Sequence, residues 1–137
     1  GMNEKDVQII MKHPLVMIGT DGIDFGSKPH PRAWGTYPRI LENYVKNNNV
    51  ISLEQAINKM TLMPAEKFNI KNRGLIKENY FADLVIIDLS NIKDNSTFTN
   101  PKNPPDGIDY IFVNGKKSIE KGKELNVFSG MTVKNNV

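Results

Sequence analysis

Three side chains near the start of the chain have the types and spacing from which a reaction site could be assembled: Asp21, His30 and Arg32. Asp21 closes the run Val16-Met17-Ile18-Gly19-Thr20-Asp21-Gly22, in which apolar residues stop abruptly at a carboxylate set between glycines. The run is too short for a helix and too apolar for a half-exposed strand, so Val16–Gly19 reads as a buried, parallel β-strand. An acid at the carboxyl end of such a strand sits where α/β barrels carry catalytic groups. Its burial calls for a metal, a proton or hydrogen-bond donors. Asp before Gly is also a common turn pair, so a plain turn role stands beside the catalytic one. Arg32 has the planar fork to receive a substrate carboxylate in bidentate fashion, or else lies at the surface stacked on Trp34. His30 either lines a substrate pocket or faces solvent from its loop. Only two histidines, His13 and His30, and no cysteine are present, whereas a catalytic zinc takes about three protein ligands. His13, just ahead of Pro14, is expected to cap or pack locally, and no residue is assigned to a metal.

The elements that must position these groups fall into two parts. Residues 1–70 have α/β character and residues 71–137 read as β. In the first part, Asn3 to Met11 predicts a short helix with Val7, Ile10 and Met11 inward, followed by the His13-Pro14 break and the Val16–Gly19 strand. Lys28 to Thr36 reads as a long polar and aromatic loop, the usual place for a site. Pro38 then opens a helix at its first turn, with Ile40, Leu41, Tyr44 and Val45 on one face, and Asn47-Asn48-Asn49 ends it. Ser52-Leu53-Glu54-Gln55 fits a capping box that starts a helix burying Leu53, Ala56, Ile57 and Met60. Pro64 opens a further short helix, Ala65 to Phe68, closed by Asn69 in the left-handed conformation.

In the second part, Leu84-Val85-Ile86-Ile87 is an apolar run between Asp83 and Asp88 and suits a strand covered on both faces. Asp109–Val113 and Lys116–Glu120 flank Asn114-Gly115, the strongest short hairpin signal available. Gly122 makes another turn, Met131-Thr132-Val133 predicts a last strand, and residues 91–107 read as a loop. Asp83 and Asp88 are expected to accept turn amides. Lys116, Lys117, Lys121 and Lys123 read as solvated edge charges that discourage strand pairing.

At 137 residues the chain accommodates one ordinary domain, well short of the roughly 250 residues of a complete (β/α)₈ barrel. Hydrophobic residues at 39% and charged residues at 24% are those of a soluble globular protein. The net charge of +3 is spread along the sequence, which makes a nucleic-acid partner a weak case. No run approaches a membrane span and no signal-peptide pattern is present, so the expectation is a cytoplasmic protein with neither a nucleic-acid nor a membrane partner. Gly1-Met2 reads as a tag-cleavage scar ahead of an initiator methionine.

The string His13 to Gly22, followed by His30-Pro31-Arg32-Ala33-Trp34-Gly35-Thr36-Tyr37-Pro38-Arg39, resembles the C-terminal region of the D-aminoacylases. These are N-acyl-D-amino-acid deacylases of the amidohydrolase superfamily. The resemblance continues in order through Ser52–Ala56, Lys59-Met60-Thr61, Pro64-Ala65, Arg73–Ile76, Ala82–Asp88, Asp94–Phe98 and Phe112–Gly115. Ala82–Asp88 and the Val-Asn-Gly hairpin are generic to amidohydrolases, whereas the His30–Arg39 block is much more specific to this branch. Asn79 departs from the glycine usual in the turn before Ala82, a mild change because asparagine tolerates positive φ.

This resemblance implies that Val16–Gly19 is the eighth barrel strand and that Asp21 matches the catalytic aspartate, which takes a proton from a metal-bound water and delivers it to the leaving amine. It further implies zinc in the full-length enzyme, bound by histidines and a cysteine of earlier strands, with none expected on this chain. The second half would form a small β-sandwich together with an N-terminal segment. The expected fold class is thus α+β: an incomplete C-terminal fragment of an amidohydrolase barrel, comprising its last strand and helices in residues 1–70, followed by an antiparallel β-sandwich-type segment in residues 71–137. Lacking parallel neighbours, Val16–Asp21 should be rearranged or paired with another copy. Apolar surface at Leu15–Ile18 and on both helices predicts a homo-oligomer. The expected role is that of a C-terminal piece of a deacylase, inactive alone, whose partner is an N-terminal barrel-bearing segment and whose substrate is a small N-acyl-amino acid. The competing expectation is a free-standing interaction module that has lost catalysis.

Overall fold

The computed structural model describes residues 2–134. Helices come first: α1 (Glu4–Lys12), α2 (Arg32–Arg39) running on into a π-helical segment (Ile40–Asn47), α3 (Leu53–Met60) and α4 (Leu62–Lys67). Four strands follow, β1 (Leu84–Ile87), β2 (Ile108–Val113), β3 (Lys116–Glu120) and β4 (Lys123–Glu124), in one antiparallel sheet of order β1-β2-β3-β4. The arrangement is α+β. Among the described residues the β half is this single sheet, without the facing layer of a sandwich.

Local chemistry accounts for most boundaries. Asn3 caps α1 by accepting from the Lys5 amide. The capping box is complete: Ser52 Oγ accepts from the Gln55 amide and Gln55 Oε1 accepts from the Ser52 amide. Asn49 and Asn69 close their helices at φ 49° and 53°. The β2–β3 turn places Asn114 and Gly115 at φ 49° and 78°, and the β3–β4 turn repeats this with Lys121 and Gly122 at 46° and 73°; both match the primed turns that fit strand twist.

Several expectations fail for identifiable reasons. Val16–Gly19 pairs with no strand among the described residues; it is extended and half-buried apart from exposed Gly19. Its bonds go elsewhere, the Ile18 amide to the Lys59 carbonyl. The expected loop Lys28–Thr36 is helical from Arg32, and Pro38 lies buried inside α2 rather than opening a helix. The start is set instead by Pro31 in helical geometry and by His30 Nδ1, which accepts from the Arg32 amide. The Ile40 amide then reaches both the Thr36 and Tyr37 carbonyls. Val7 and Met11 of α1 and Leu53, Ala56 and Met60 of α3 turn inward as expected, but Ile10 and Ile57 are exposed and Lys59 is buried instead. On β1, Val85 and Ile86 are exposed because this strand lies at the sheet edge. Met131–Val133 forms no strand. Of the expected apolar patch, Leu15 and, on α3, Ile57 are exposed; Val16, Met17 and Ile18 are half-buried, and wider exposure lies at Ile23, Phe25, Ile76 and Phe128.

The core joins Met11, Ile40, Leu41, Val45, Val50, Ile51 and Ala56 to Ile92, with Ile87, Leu89 and Ile108 packed against it. Ile92 comes from the loop of residues 91–107 and has the largest fully buried side chain among the described residues. Beside it, Asp94 accepts from Arg39 Nε and from the Ser96 amide and hydroxyl, while its own amide donates to Glu42. A Cβ at Gly35 would fall inside contact distance of Ser96 Oγ and the Asp94 carboxylate. Glycine is what lets this loop seat against α2.

Candidate active site

The three residues singled out by their chemistry meet at the first turn of α2. Asp21 sits at φ 45°, a left-handed conformation that aspartate, like asparagine, tolerates better than most side chains. Arg32 holds it from two sides: Nε donates to the Asp21 carbonyl at 2.8 Å and Nη2 lies 2.9 Å from Oδ2. Gly22 allows the approach, because a Cβ there would stand 2.6 Å from the Ala33 backbone. The Gly22 amide in turn donates to Thr20 Oγ1. His30, two residues ahead of Arg32, uses Nδ1 on the Arg32 amide at 3.1 Å and sets its ring edge-on to Phe98, centroids 5.0 Å apart.

Contrary to the expected burial, the Asp21 side chain is 83% exposed, and that of Arg32 is 45% exposed. One carboxylate oxygen is engaged by Arg32 and the group as a whole is open to solvent. A site of this kind can exchange a proton with a bound molecule. A substrate carboxylate that takes Arg32 in bidentate fashion competes with Asp21 for the same guanidinium. Arg32 thus spends its fork on Asp21 rather than lying flat on Trp34. His30 lines neither of two open hollows, one bounded by Glu42, Lys46 and Asp106 and the other by Lys12, Glu54 and Met63.

The donor set does not suit a metal. Among the described residues no three His, Cys, Asp or Glu side chains converge as ligands. His13 and His30 each turn Nδ1 onto a backbone amide two residues on, Leu15 and Arg32 respectively. Asp21 is engaged by an arginine.

Sequence reasoning missed Lys59. Its side chain is buried, and Nζ donates to the carbonyls of His13 at 2.6 Å and Val16 at 2.8 Å. Burial pushes its pKa below the usual lysine value. The available signal was position: Lys59 lies three residues after Ala56, on the face α3 turns inward. The expectation for Asp83 and Asp88 holds. Asp83 accepts from the Asn114 amide, and Asp88 from the amides of Ser90 and Asn91 together with both their side chains.

Comparison with known proteins places these observations in context. The amidohydrolase family model matches residues 3–118. N-acyl-D-aspartate deacylase of Alcaligenes xylosoxydans xylosoxydans is 41% identical over 116 residues, which are 85% of this chain and 23% of that protein. A crystal structure of D-aminoacylase superposes with a TM-score of 0.92 at 38% identity, covering 96% of this chain and 28% of that one. N-acyl-D-glutamate deacylase from Bordetella bronchiseptica, solved with zinc and a phosphonate mimic of the tetrahedral intermediate, gives 0.83 at 34% identity over 92% and 28%. The chain spans about a quarter of the length of these relatives. No helix among the described residues is long and apolar enough to cross a membrane.

Proposed function

The chain belongs to the amidohydrolase family, and from that premise we propose that it is the C-terminal part of a deacylase that hydrolyses the amide bond of N-acyl-D-amino acids. Asp21 accepts the proton of the attacking water and returns it to the leaving amine, as a carboxylate with one face open can do. Arg32 receives the substrate carboxylate, and His30, exposed beside it and bonded to its amide, faces the same substrate. Residues 1–70 supply the end of a barrel and residues 71–137 the accessory β-domain. The metal that the relatives carry has no ligand set among the described residues, so this chain is inactive by itself and works with the barrel-bearing part that its relatives contain. The observation that carries the reading is agreement in sequence and backbone with deacylases along nearly the whole chain, including the segment in which Asp21 stands exposed.

The apolar side chains left open at Ile23, Phe25, Ile76 and Phe128 support a covering partner. That partner is the barrel-bearing part or, failing it, a second copy of the chain; light scattering with and without that part distinguishes them. The chemical test is hydrolysis of N-acyl-D-amino acids. The 137-residue chain with added zinc should show no rate above background, and the chain joined to its barrel-bearing part should be active. Asp21→Asn should then remove roughly 10²–10⁴-fold of the rate. Near-normal turnover by Asp21→Asn would reduce Asp21 to a turn residue.

A further inference from the structure

Among the described residues no strand pairs with the run that ends in Asp21, yet that run and His13 ahead of it are held at three points by one residue. Lys59 Nζ donates to the carbonyls of His13 and Val16, and the Lys59 carbonyl accepts from the Ile18 amide at 3.0 Å. Asp21 follows three residues later. Lys59 is only 5% exposed, and among the described residues its ammonium forms no ion pair with a carboxylate. Taking an ammonium out of water costs several kcal/mol unless its donors are well used. An apolar side chain would fill the same space without that cost, but it would strip the Val16 carbonyl of its donor and leave the His13 carbonyl with the Val16 amide at 3.2 Å. One of these, His13, stands at the C-terminal end of α1, where the helix dipole favours a cation.

We propose that Lys59 is the positioning residue for Asp21: through its ammonium and its own carbonyl it fixes residues 13–18, and so fixes where the aspartate enters the site. The proposal rests on the hydrolytic role of Asp21 proposed above. Lys59 touches neither substrate nor reacting atoms; it acts by setting the aspartate's place, and a displacement of about 1 Å in such a group costs roughly 10²-fold in rate.

The test uses amide hydrogen exchange on the full chain together with kinetics of the chain joined to its barrel-bearing part. Lys59→Met, similar in length and apolar, should speed exchange of the Ile18 amide roughly tenfold or more while the β2–β3 ladder stays protected. In the joined enzyme it should lower kcat by roughly 10²-fold with KM within about twofold. The chain has no cysteine, so Lys59→Cys offers a unique thiol in the 137-residue chain, and its aminoethylation with bromoethylamine, carried out before that chain is joined to its barrel-bearing part, rebuilds an ammonium of nearly lysine length. That product should regain both Ile18 protection and kcat. Unchanged Ile18 exchange in Lys59→Met overturns the proposal, as does released exchange with unchanged kcat. Should Lys59→Met unfold the whole chain, the aminoethylated variant decides: recovery of protection and kcat supports the proposal, and failure to recover overturns it. Asp21→Asn assayed alongside separates the two readings. A full rate there removes the hydrolytic role and this proposal with it, whereas a lost rate beside a normal Lys59→Met overturns this proposal alone.

Discussion

Arg32 with Asp21, at the start of α2, and Arg73 with Asp83, ahead of the sheet, are ion pairs of the same composition in opposite surroundings. Arg73 is 14% exposed and Asp83 37%. Arg73 also donates to Asn114 Oδ1 at 2.7 Å and lies 4.2 Å over the Phe81 ring, while Asn114 reaches Asp83 through its amide and Ser129 through its side chain. Every group there is committed to another part of the same chain, and the network closes the hairpin turn onto residues 73–83. The Asp21 pair commits only one edge and leaves its carboxylate in the open. The difference teaches how to sort charged residues that composition cannot separate. A carboxylate whose partners are all internal stabilises the fold, and one held in place while still open keeps a face free for a further partner.

The largest test of that contrast is catalytic. In the joined enzyme, Asp83→Asn should leave the rate of N-acyl-D-amino-acid hydrolysis within a few-fold of normal, against the roughly 10²–10⁴-fold loss expected for Asp21→Asn. Equal losses from the two substitutions would erase the distinction.

On stability the order should reverse. Arg73→Ala strips partners from Asp83 and Asn114 together and is expected to cost roughly 1–3 kcal/mol in urea unfolding, the range for leaving sheltered polar groups unsatisfied. Arg32→Ala breaks a solvent-exposed pair and should cost about 1 kcal/mol or less. An Arg32→Ala loss equal to that of Arg73→Ala would mean that the Asp21 site is a structural clamp.

Local signals made much of the fold legible. The capping box at Ser52, the left-handed Asn69 and the Asn114-Gly115 turn all formed as read, because each depends on a few neighbouring residues. The errors lie where a distant partner decides. Val16–Gly19 has the composition of a buried strand, but the described residues include no parallel neighbour to complete it. Val85 and Ile86 are apolar in a strand that here forms a sheet edge. His30, Arg32 and Asp21 could be named from residue type and motif, but their meeting at α2 depended on a helix starting six residues before Pro38. Lys59 and Asp94 escaped notice for the converse reason: lysine and aspartate are usually surface residues, and only the folded chain brings His13 and Val16 to the one and Arg39 and Glu42 to the other.

The smallest effect expected concerns Asp88, a carboxylate satisfied within its own turn. Hydrogen bonds from the Ser90 and Asn91 side chains, the Ser90 bond first, and then from their backbone amides hold its pKa below the ordinary 3.8. A group whose pKa is lower folded than unfolded contributes stability above the unfolded value, and loses it as pH falls through the folded one. The turn of residues 88–91 should therefore keep its geometry at pH 5 and loosen only below about 3.8. Amide exchange at Ser90 and Asn91, corrected for the intrinsic effect of pH, should lose protection in that acid range. Asp88→Asn should show the weakened protection already at neutral pH, since it keeps an acceptor but loses the charge that strengthens it. Protection that stays constant through pH 3 would mean that the backbone fixes this turn, and that the carboxylate merely occupies it.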